Sequence, residues 1–295
     1  MMPGLVLSPG AGISDAKRAS RERCVVNSVF RLSLMFLLLL AVCAGSLAKT
    51  PAQTAKKDDP AFRKNIYKDK KGSQMSYRLF VPANYDSHQK YSLIFWLHGA
   101  NGRGSDNLRQ ISDGNEIGTH VWISPAHQSQ LPAFVLAPQC PENSFWSEPE
   151  TNELSPQLQI ALDILASVQK DFSIDPDRIY LAGQSMGGLA VWALLQAQPD
   201  RWAAALVLCA FDNFTNLKGI LRIPIWVFQG DADMVVPVDL VRQMVKDLRK
   251  SGAQPRYSEY HGVGHEVWGK AFAEPDLVAW LAAQKRGQSS SNPAK

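Results

Sequence analysis

The sequence predicts an α/β fold with a mostly parallel central sheet and helices on both of its faces. Short apolar runs alternate with helical patterns along the chain, which is the order of elements that builds a parallel sheet. Several of these runs are apolar at every position, as in strands that are buried on both faces. The composition, 45% hydrophobic and 20% charged, is that of a globular protein. We expect one such domain over residues 61–286, because no interval is long enough for a second one.

The first 48 residues have the pattern of a secretory signal peptide. Several arginines precede an uncharged apolar stretch, residues 32–47, and small residues stand at the two positions that a signal peptidase reads, Ser46 and Ala48. We therefore predict cleavage after Ala48 and a secreted or periplasmic protein. The alternative is an uncleaved membrane anchor, for which an apolar stretch of about 16 residues is slightly short.

Polar segments flank the predicted domain. Residues 49–60 form a polar linker, and residues 287–295 form a Ser-rich tail that we expect to be disordered. The full chain has a formal net charge of +4, and residues 1–48 hold five basic and two acidic side chains, which leaves +1 for residues 49–295. This balance implies no nucleic-acid partner and no stable membrane association after signal cleavage. The oligomeric state stays open.

Two cysteines remain after signal cleavage, Cys140 and Cys209. They follow different predicted strands, and we expect both to be small buried thiols. Because no group of Cys or His residues has the spacing of metal ligands, we predict no metal and no cofactor.

Seven strands and four helices are predicted along the domain. Strand patterns lie at residues 76–81, 92–97, 133–137, 179–182, 204–209, 225–229 and 256–260. Helical patterns lie within residues 154–172, 186–198, 238–251 and 275–284. Three large side chains, those of Trp96, Trp226 and Met234, are expected to pack in the interior.

The pentapeptide Gly-Gln-Ser-Met-Gly at residues 183–187 lies between the predicted strand 179–182 and a helix. A serine on such a sharp turn requires small residues two positions before and after it, as Gly183 and Gly187 provide, and its oxygen then projects outward. The same pattern also fits an ordinary helix start that is capped by a serine. The strand before it and the small-residue helix after it favour a nucleophile elbow with Ser185 as the nucleophile.

A glycine-rich loop, His-Gly-Ala-Asn-Gly-Arg-Gly at residues 98–104, follows the strand at 92–97. Such a turn can aim the backbone N–H of Ala100 into a cleft beside the N–H of Met186, and two such donors form an oxyanion hole. A phosphate-binding loop is the rival interpretation, but the Lys-Ser/Thr ending of a P-loop is missing. A purely structural interpretation, a turn held by a salt bridge between Arg103 and Asp106, is compatible with the oxyanion hole.

An acid that orients a catalytic histidine is expected in the turn after the strand at 225–229. An aspartate there can accept the histidine N–H, select its tautomer and stabilise the imidazolium. We favour Asp233, with Asp231 as a turn-capping residue and Asp212 as a third candidate.

The general base is expected in the glycine-rich loop after the last predicted strand. His265 is preferred over His261, because a loop histidine there can reach the serine and later protonate the leaving group. The order Ser185, Asp233, His265 along the chain is that of an α/β-hydrolase triad.

From about residue 75 to residue 285 the sequence resembles the single-domain α/β-hydrolases known as predicted peptidases or phospholipase/carboxylesterases, near polyhydroxybutyrate depolymerases and feruloyl esterases. The resemblance lies in the motifs at residues 98–107, 137–146, 175–188, 230–237 and 262–268. It implies an α/β-hydrolase fold without a large lid domain. It also implies a triad of Ser185, His265 and Asp233, with oxyanion N–H groups from Ala100 and Met186.

The resemblance further implies cleavage of carboxylic esters, small or polymeric, through an acyl-enzyme. The alternatives are a serine peptidase with the same triad and a non-catalytic binding protein on the same fold. Trp146 and Trp268 are expected either to contact an acyl or aromatic group of the substrate or to pack in the interior. Relatives often carry His where this chain has Gln229, and we expect this departure to leave the mechanism unchanged.

Overall fold

The computed structural model describes residues 58–148, 154–214 and 217–288. The predicted signal peptide, most of the linker and residues 289–295 of the tail lie outside these described residues. In the described part of the chain, no helix combines the length and the apolar character that a membrane crossing requires.

Eight strands form one mixed, mostly parallel sheet with the order β1-β2-β4-β3-β5-β6-β7-β8. The first two strands pair antiparallel with each other, and β2 pairs antiparallel with β4; the remaining neighbours are parallel. The strands are β1 Arg63–Lys68, β2 Gln74–Phe80, β3 Tyr91–Leu97, β4 Ala133–Pro138, β5 Ile174–Gln184, β6 Ala204–Leu208, β7 Ile225–Gly230 and β8 Arg256–Tyr260. The predicted fold class is confirmed.

Helices and short 3-10 turns connect the strands. The helices are α1 Glu116–His120, α2 Pro125–Gln130, α3 Pro156–Asp171, α4 Met186–Ala197, α5 Val238–Lys250, α6 Trp268–Ala271 and α7 Leu277–Ala282. The 3-10 turns are Ala100–Gly102, Arg109–Ile111, Val121–Ile123, Pro199–Arg201 and Ile220–Arg222. The α3 helix starts at a proline after Ser155, whose side chain accepts the N–H of Leu158.

Both faces of the sheet are covered, because side chains alternate along each buried strand. In β3, Phe95 packs into a core with α3, α4 and α5, whereas Ile94 and Trp96 pack into a second core with α6 and α7. In α5 the buried residues are Val241, Met244, Val245 and Leu248, whose spacing places them on one face of the helix. The continuous apolar patterns of the central strands thus reflect burial on two sides.

Two parts of the fold were missed in the sequence. The edge strand β1 consists largely of charged and polar residues, which leaves little of the apolar signal that predicts a strand. The short helices α1, α2 and α6 span six residues or fewer, too few to show helical periodicity. In addition, β5 begins at Ile174, before the predicted start at residue 179.

Two residues of the predicted linker contact the domain. Asp58 and Asp59, which the sequence assigns to the linker, contact side chains of the domain: Asp58 Oδ1 accepts from the buried Arg78 at 2.5 Å, and Asp59 Oδ2 lies 2.5 Å from His120 Nε2. Arg78 Nε also donates to the carbonyl of Asn107 at 2.6 Å. The start of the domain is therefore tied to the segment that follows the glycine-rich loop.

Candidate active site

The site lies at the carboxyl ends of the parallel strands, in the loops that follow them. Ser185 follows β5, Asp233 follows β7 and His265 follows β8. Since these strands lie within one side of the sheet, in the order β5-β6-β7-β8, their following loops converge on the same edge. The topology thereby brings together three side chains that are far apart in the sequence.

Ser185 has the backbone conformation of a sharp strand-to-helix turn. Its φ of 53° and ψ of −117° are unusual for a residue with a side chain. Its N–H donates to the carbonyl of Leu208 at 2.8 Å, which ties the turn to β6. A Cβ on Gly183 would overlap the carbonyl of Gly187, and a Cβ on Gly187 would overlap the carbonyl of Leu97. The two glycines are therefore required by the close approach of the backbone segments.

Substituting Gly187 by alanine should destabilise the fold, because the methyl group would overlap a backbone carbonyl of β3. We expect the free energy of unfolding to fall by about 3 kcal/mol or more. Gly269 is the matched control, since it also lies in a helix and a Cβ there meets nothing within 4 Å. Gly269→Ala should be neutral or stabilising by up to about 1 kcal/mol. Urea denaturation measures both, and equal losses would contradict this account of packing at the turn.

The three side chains form a continuous hydrogen-bonded chain. His265 Nε2 lies 2.9 Å from Ser185 Oγ, and His265 Nδ1 lies 2.8 Å from Asp233 Oδ2. Because an ionised carboxylate can only accept, Nδ1 carries the proton and Nε2 accepts from the serine hydroxyl. The side chain of His265 is 18% exposed and that of Asp233 is 0% exposed. This arrangement can remove a proton from Ser185 and stabilise the imidazolium that results.

Asp233 is held in its charged form. Burial raises the pKa of its carboxyl. The hydrogen bond from His265, the electrostatic attraction of that ring and the N–H groups of Val236 and Val235 outweigh burial, so the pKa lies below its ordinary value. Both backbone N–H groups donate to Oδ1 at 2.8 Å. Gln229 Nε2 donates to Oδ2 at 2.9 Å.

The alternative residues form other contacts. Asp231 Oδ2 lies 2.7 Å from Nδ1 of His261, whose side chain is 99% exposed, and Oδ1 accepts the N–H of Gly262 at 2.7 Å. The hydrogen bond from His261 lowers the pKa of Asp231 below its ordinary value. Asp212 accepts from Gln196 at 3.2 Å. The structure thus places Asp233 and His265, and not Asp231 and His261, beside Ser185.

A buried histidine supports the glycine-rich loop from inside. Burial lowers the pKa of His98 to about 4, so the ring is neutral. Its Nε2 accepts the N–H of Cys140 at 3.0 Å, so Nδ1 carries the proton and donates to the carbonyl of Gly99 at 2.6 Å. A Cβ on Gly102 would overlap the His98 ring. The loop therefore wraps closely around this ring, a role that no local pattern around His98 indicates.

Two further polar side chains, those of Asn115 and Gln139, hold the same loop. Asn115 Oδ1 accepts the N–H of Gly99 at 3.0 Å and the amide of Gln184 at 3.2 Å. Gln139 Nε2 donates to the carbonyl of Gly102 at 3.2 Å. Asn115 and Gln139 are almost fully buried, and both were missed in the sequence, because nothing in their own neighbourhood indicates which loop they contact.

The two predicted oxyanion donors lie at the starts of two turns. Ala100 opens the 3-10 turn after β3, and Met186 is the first residue of α4. Within the described residues, no acceptor is found for either backbone N–H. The first N–H groups of a helix have no partner inside it, and they lie at the positive end of the helix dipole.

In place of the salt bridge between Arg103 and Asp106 that the structural interpretation required, Asp106 pairs with Arg109. Asp106 Oδ2 lies 3.3 Å from Nε of Arg109. Arg103 instead donates from Nε to the carbonyl of Ala100 at 3.2 Å and lies over the ring of Phe145, 5.2 Å from its centroid. Arg103 and Arg109 are each three residues from Asp106, so the sequence spacing allows either pair. The conformation of the loop brings Arg109 to Asp106.

The apolar side chains assigned from the sequence have different environments. Trp146 is 0% exposed, and its Nε1 donates to the carbonyl of His98 at 3.2 Å, so it supports the loop from the interior and does not face the cleft. Trp268 is partly exposed, and its ring lies edge-on to His265 with centroids 6.1 Å apart.

Trp96 and Trp226 are buried as expected, whereas Met234 is 91% exposed. The prediction that Met234 packs in the interior was wrong, because the turn after β7 directs it to solvent.

Both cysteines are free and buried, as predicted. Burial raises the pKa of the Cys140 thiol to about 12, and burial together with the charge of Asp233 raises that of Cys209 as well. Cys209 Sγ donates to the carbonyl of His265 at 2.9 Å.

The ligand atoms of Cys209, Asp233 and His265 all lie within 4.8 Å of one another, as around a metal ion. Since the thiol stays protonated and the other two atoms bind each other, the set fits a hydrogen-bonded network better than a metal site.

The sequence model of the Esterase family matches residues 70–293. The chain belongs to this esterase family. As a member, it is a hydrolase that acts on ester bonds. Among curated proteins, the esterase is 24% identical to feruloyl esterase D of Neurospora crassa, over 78% of this chain and 78% of the relative. It is 19% identical to the carboxylesterase SOBER1 of Arabidopsis thaliana, over 68% of this chain and 93% of the relative.

Solved structures agree with the fold. A thermostable esterase superposes on this esterase with a TM-score of 0.73 and 36% identity, covering 77% of this chain; the match spans 64% of that structure, just under two thirds. The feruloyl esterase module from Clostridium thermocellum superposes with a TM-score of 0.56 and 15% identity, over 79% of this chain and 92% of that one, a likeness of fold alone. The fold is therefore that of the α/β-hydrolases.

Proposed function

We propose that this protein is an exported carboxylesterase that cleaves carboxylic esters through an acyl-enzyme formed on Ser185. The observation that carries the proposal is the hydrogen-bonded chain from Ser185 Oγ through His265 to Asp233, with distances of 2.9 Å and 2.8 Å. A serine beside a correctly oriented base is the arrangement that nucleophilic catalysis requires. Membership of the esterase family supports the same conclusion.

In the first half of the proposed reaction, Ser185 Oγ attacks the ester carbonyl while His265 Nε2 accepts the hydroxyl proton. Asp233 stabilises the imidazolium and keeps the ring in place. The N–H groups of Ala100 and Met186 bind the oxyanion of the tetrahedral intermediate. His265 then returns the proton to the alcohol oxygen, the C–O bond breaks, and the alcohol leaves an acyl-enzyme.

In the second half, water attacks the acyl carbonyl and gives its proton to His265 Nε2. A second oxyanion forms at the same two N–H groups. Collapse of this intermediate breaks the bond to Ser185 Oγ, which takes the proton back from His265, and the carboxylic acid leaves. Each turnover thus consumes one water and restores the hydroxyl of Ser185.

Export is part of the proposal and rests on the sequence. The apolar stretch at residues 32–47, the arginines before it and the small residues Ser46 and Ala48 support a cleaved signal peptide. The mature protein would then begin with the polar linker and continue into the catalytic domain, residues 61–286. N-terminal sequencing of the exported protein tests this point: an N-terminus at Lys49 supports cleavage after Ala48, and a retained apolar stretch indicates an anchor.

The proposal predicts ester hydrolysis without comparable amide hydrolysis. Residues 49–295 should cleave p-nitrophenyl esters of short and medium acyl chains, whereas turnover of a peptide p-nitroanilide should be lower by at least about 10²-fold. Methyl ferulate belongs in the same panel, because several relatives are named feruloyl esterases and Trp268 lies beside His265. Cleavage of the anilide alone would favour the serine peptidase, the second function that the triad permits.

A fluorophosphonate separates an enzyme from a non-catalytic binding protein on the same fold. It should label Ser185 covalently, because only an activated serine attacks the phosphorus rapidly. Ser129 provides an internal control, since its hydroxyl donates to the carbonyl of Ala126 on an exposed helix and, among the described residues, is hydrogen-bonded to no histidine. Absence of label at Ser185 in the folded protein would contradict a catalytic role.

A further inference from the structure

Gln229 is a buried polar residue at the end of an otherwise apolar strand. Its side chain is 0% exposed, and Nε2 donates to Asp233 Oδ2 at 2.9 Å and to the carbonyl of Val236 at 2.8 Å. Both partners can only accept, so the amide nitrogen must face them. In the described residues, Gln229 Oε1 has no hydrogen-bond partner.

This orientation is costly for the fold. A buried carbonyl without a partner loses its hydration and gains nothing in return, whereas an apolar side chain of the same shape would avoid that loss. In this orientation, the amide N–H of Gln229 donates to Oδ2 of Asp233. The same oxygen lies 2.8 Å from His265 Nδ1. The residue is therefore placed to serve the acid and base, and not to improve packing.

We propose that Gln229 is a positioning residue of the esterase, which restrains Asp233 and withdraws part of the negative charge that Asp233 presents to His265. This inference rests on the proposed function, because it assumes that His265 is the base. It keeps the expectation that glutamine in place of histidine leaves the mechanism unchanged, because either side chain can donate an N–H.

Other groups around Asp233 determine what removal of the amide would do. The N–H groups of Val235 and Val236 still hold Oδ1 without Gln229, so Asp233 stays in the turn and only Oδ2 loses a restraint. Cys209 also faces Asp233, but burial keeps its thiol protonated. The neighbouring pair of Asp231 and His261 lies at the surface, where solvent screens its charges. Loss of the amide should therefore act mainly on Oδ2 and on His265.

The test is Gln229→Met, which keeps the length of the side chain and removes both polar atoms. Without the amide, Asp233 holds the imidazolium more strongly, so His265 becomes available as a base only at higher pH. In the pH profile of kcat/KM for a p-nitrophenyl ester, the acid limb should move to higher pH by about half a unit. The plateau of kcat/KM above that limb should fall by about tenfold. A merely structural role would change the melting temperature and leave the acid limb in place.

Gln110→Met is the matched control. Gln110 is also 0% exposed, its amide donates to Asn107 Oδ1 at 2.6 Å, and its Oε1 also lacks a partner in the described residues. This variant should shift the melting temperature without moving the acid limb. Gln229→His keeps an N–H donor and should return the acid limb to its wild-type position.

The outcomes distinguish the inference from the proposed function. If Ser185→Ala is inactive and Gln229→Met keeps the acid limb of the wild type, the positioning role of Gln229 is overturned and the proposed function stands. An active Ser185→Ala variant would overturn the proposed function itself. If Gln229→Met does not fold, Gln229→His still tests the role of Gln229. An acid limb that moves to higher pH in Gln229→His would contradict the proposal, because this variant keeps the N–H donor.

Discussion

Ester hydrolysis by the Ser185→Ala variant should fall by roughly 10⁴-fold or more in kcat, because alanine has no oxygen with which to form the acyl-enzyme. The remaining groups, His265 and the two oxyanion N–H donors, would leave only a small residual rate above that of water. The measurement is the hydrolysis of a p-nitrophenyl ester by residues 49–295 with and without the substitution.

The fold of this variant should be unchanged. Alanine keeps the backbone of the turn, and among the described residues the substitution removes one hydrogen bond, that from Ser185 Oγ to His265 Nε2. Circular dichroism and thermal unfolding should therefore match those of the wild type to within a few degrees, about 1 kcal/mol or less. Ser129→Ala, at an exposed serine outside the site, should retain full activity. A Ser185→Ala variant that keeps the wild-type rate would reject the nucleophile.

Asp233→Asn should lower kcat by about 10⁴-fold while leaving the geometry nearly intact. The amide that replaces the carboxylate no longer stabilises the imidazolium, and its NH₂ group favours the wrong tautomer of His265. The substitution changes almost no volume, so the loss can be assigned to charge and hydrogen bonding at the buried side chain. Steady-state rates across pH 5–9, with a melting curve of each variant, measure the effect.

Asp231→Asn is the matched control for Asp233→Asn. The two residues lie in the same turn and both contact a histidine, but the partner of Asp231 is the exposed His261. Because an exposed ion pair is screened by solvent, its loss should change kcat by less than about threefold. A strong loss in Asp231→Asn together with a mild one in Asp233→Asn would exchange the two roles.

The parts of the protein that the sequence predicted well are those that depend on neighbouring residues. The seven predicted strands are present. Four of them, β3, β4, β6 and β7, are buried along their whole length, which requires continuous apolar runs, and that pattern is local. The turn at Ser185 was recognisable because Gly183 and Gly187 lie within two residues of the serine they accommodate. By contrast, the strand β1 is largely polar, and its pairing with β2 cannot be read from its own composition.

The sequence by itself thus determined the α/β fold class, the elbow and a short list of candidates for the acid and the base. The tertiary structure alone decided that Asp233 reaches His265 while Asp231 reaches His261, and that Gln229 contacts the acid. The physical reason is distance along the chain. Steric limits on a turn act between adjacent residues, whereas these hydrogen bonds depend on how two loops from neighbouring strands meet.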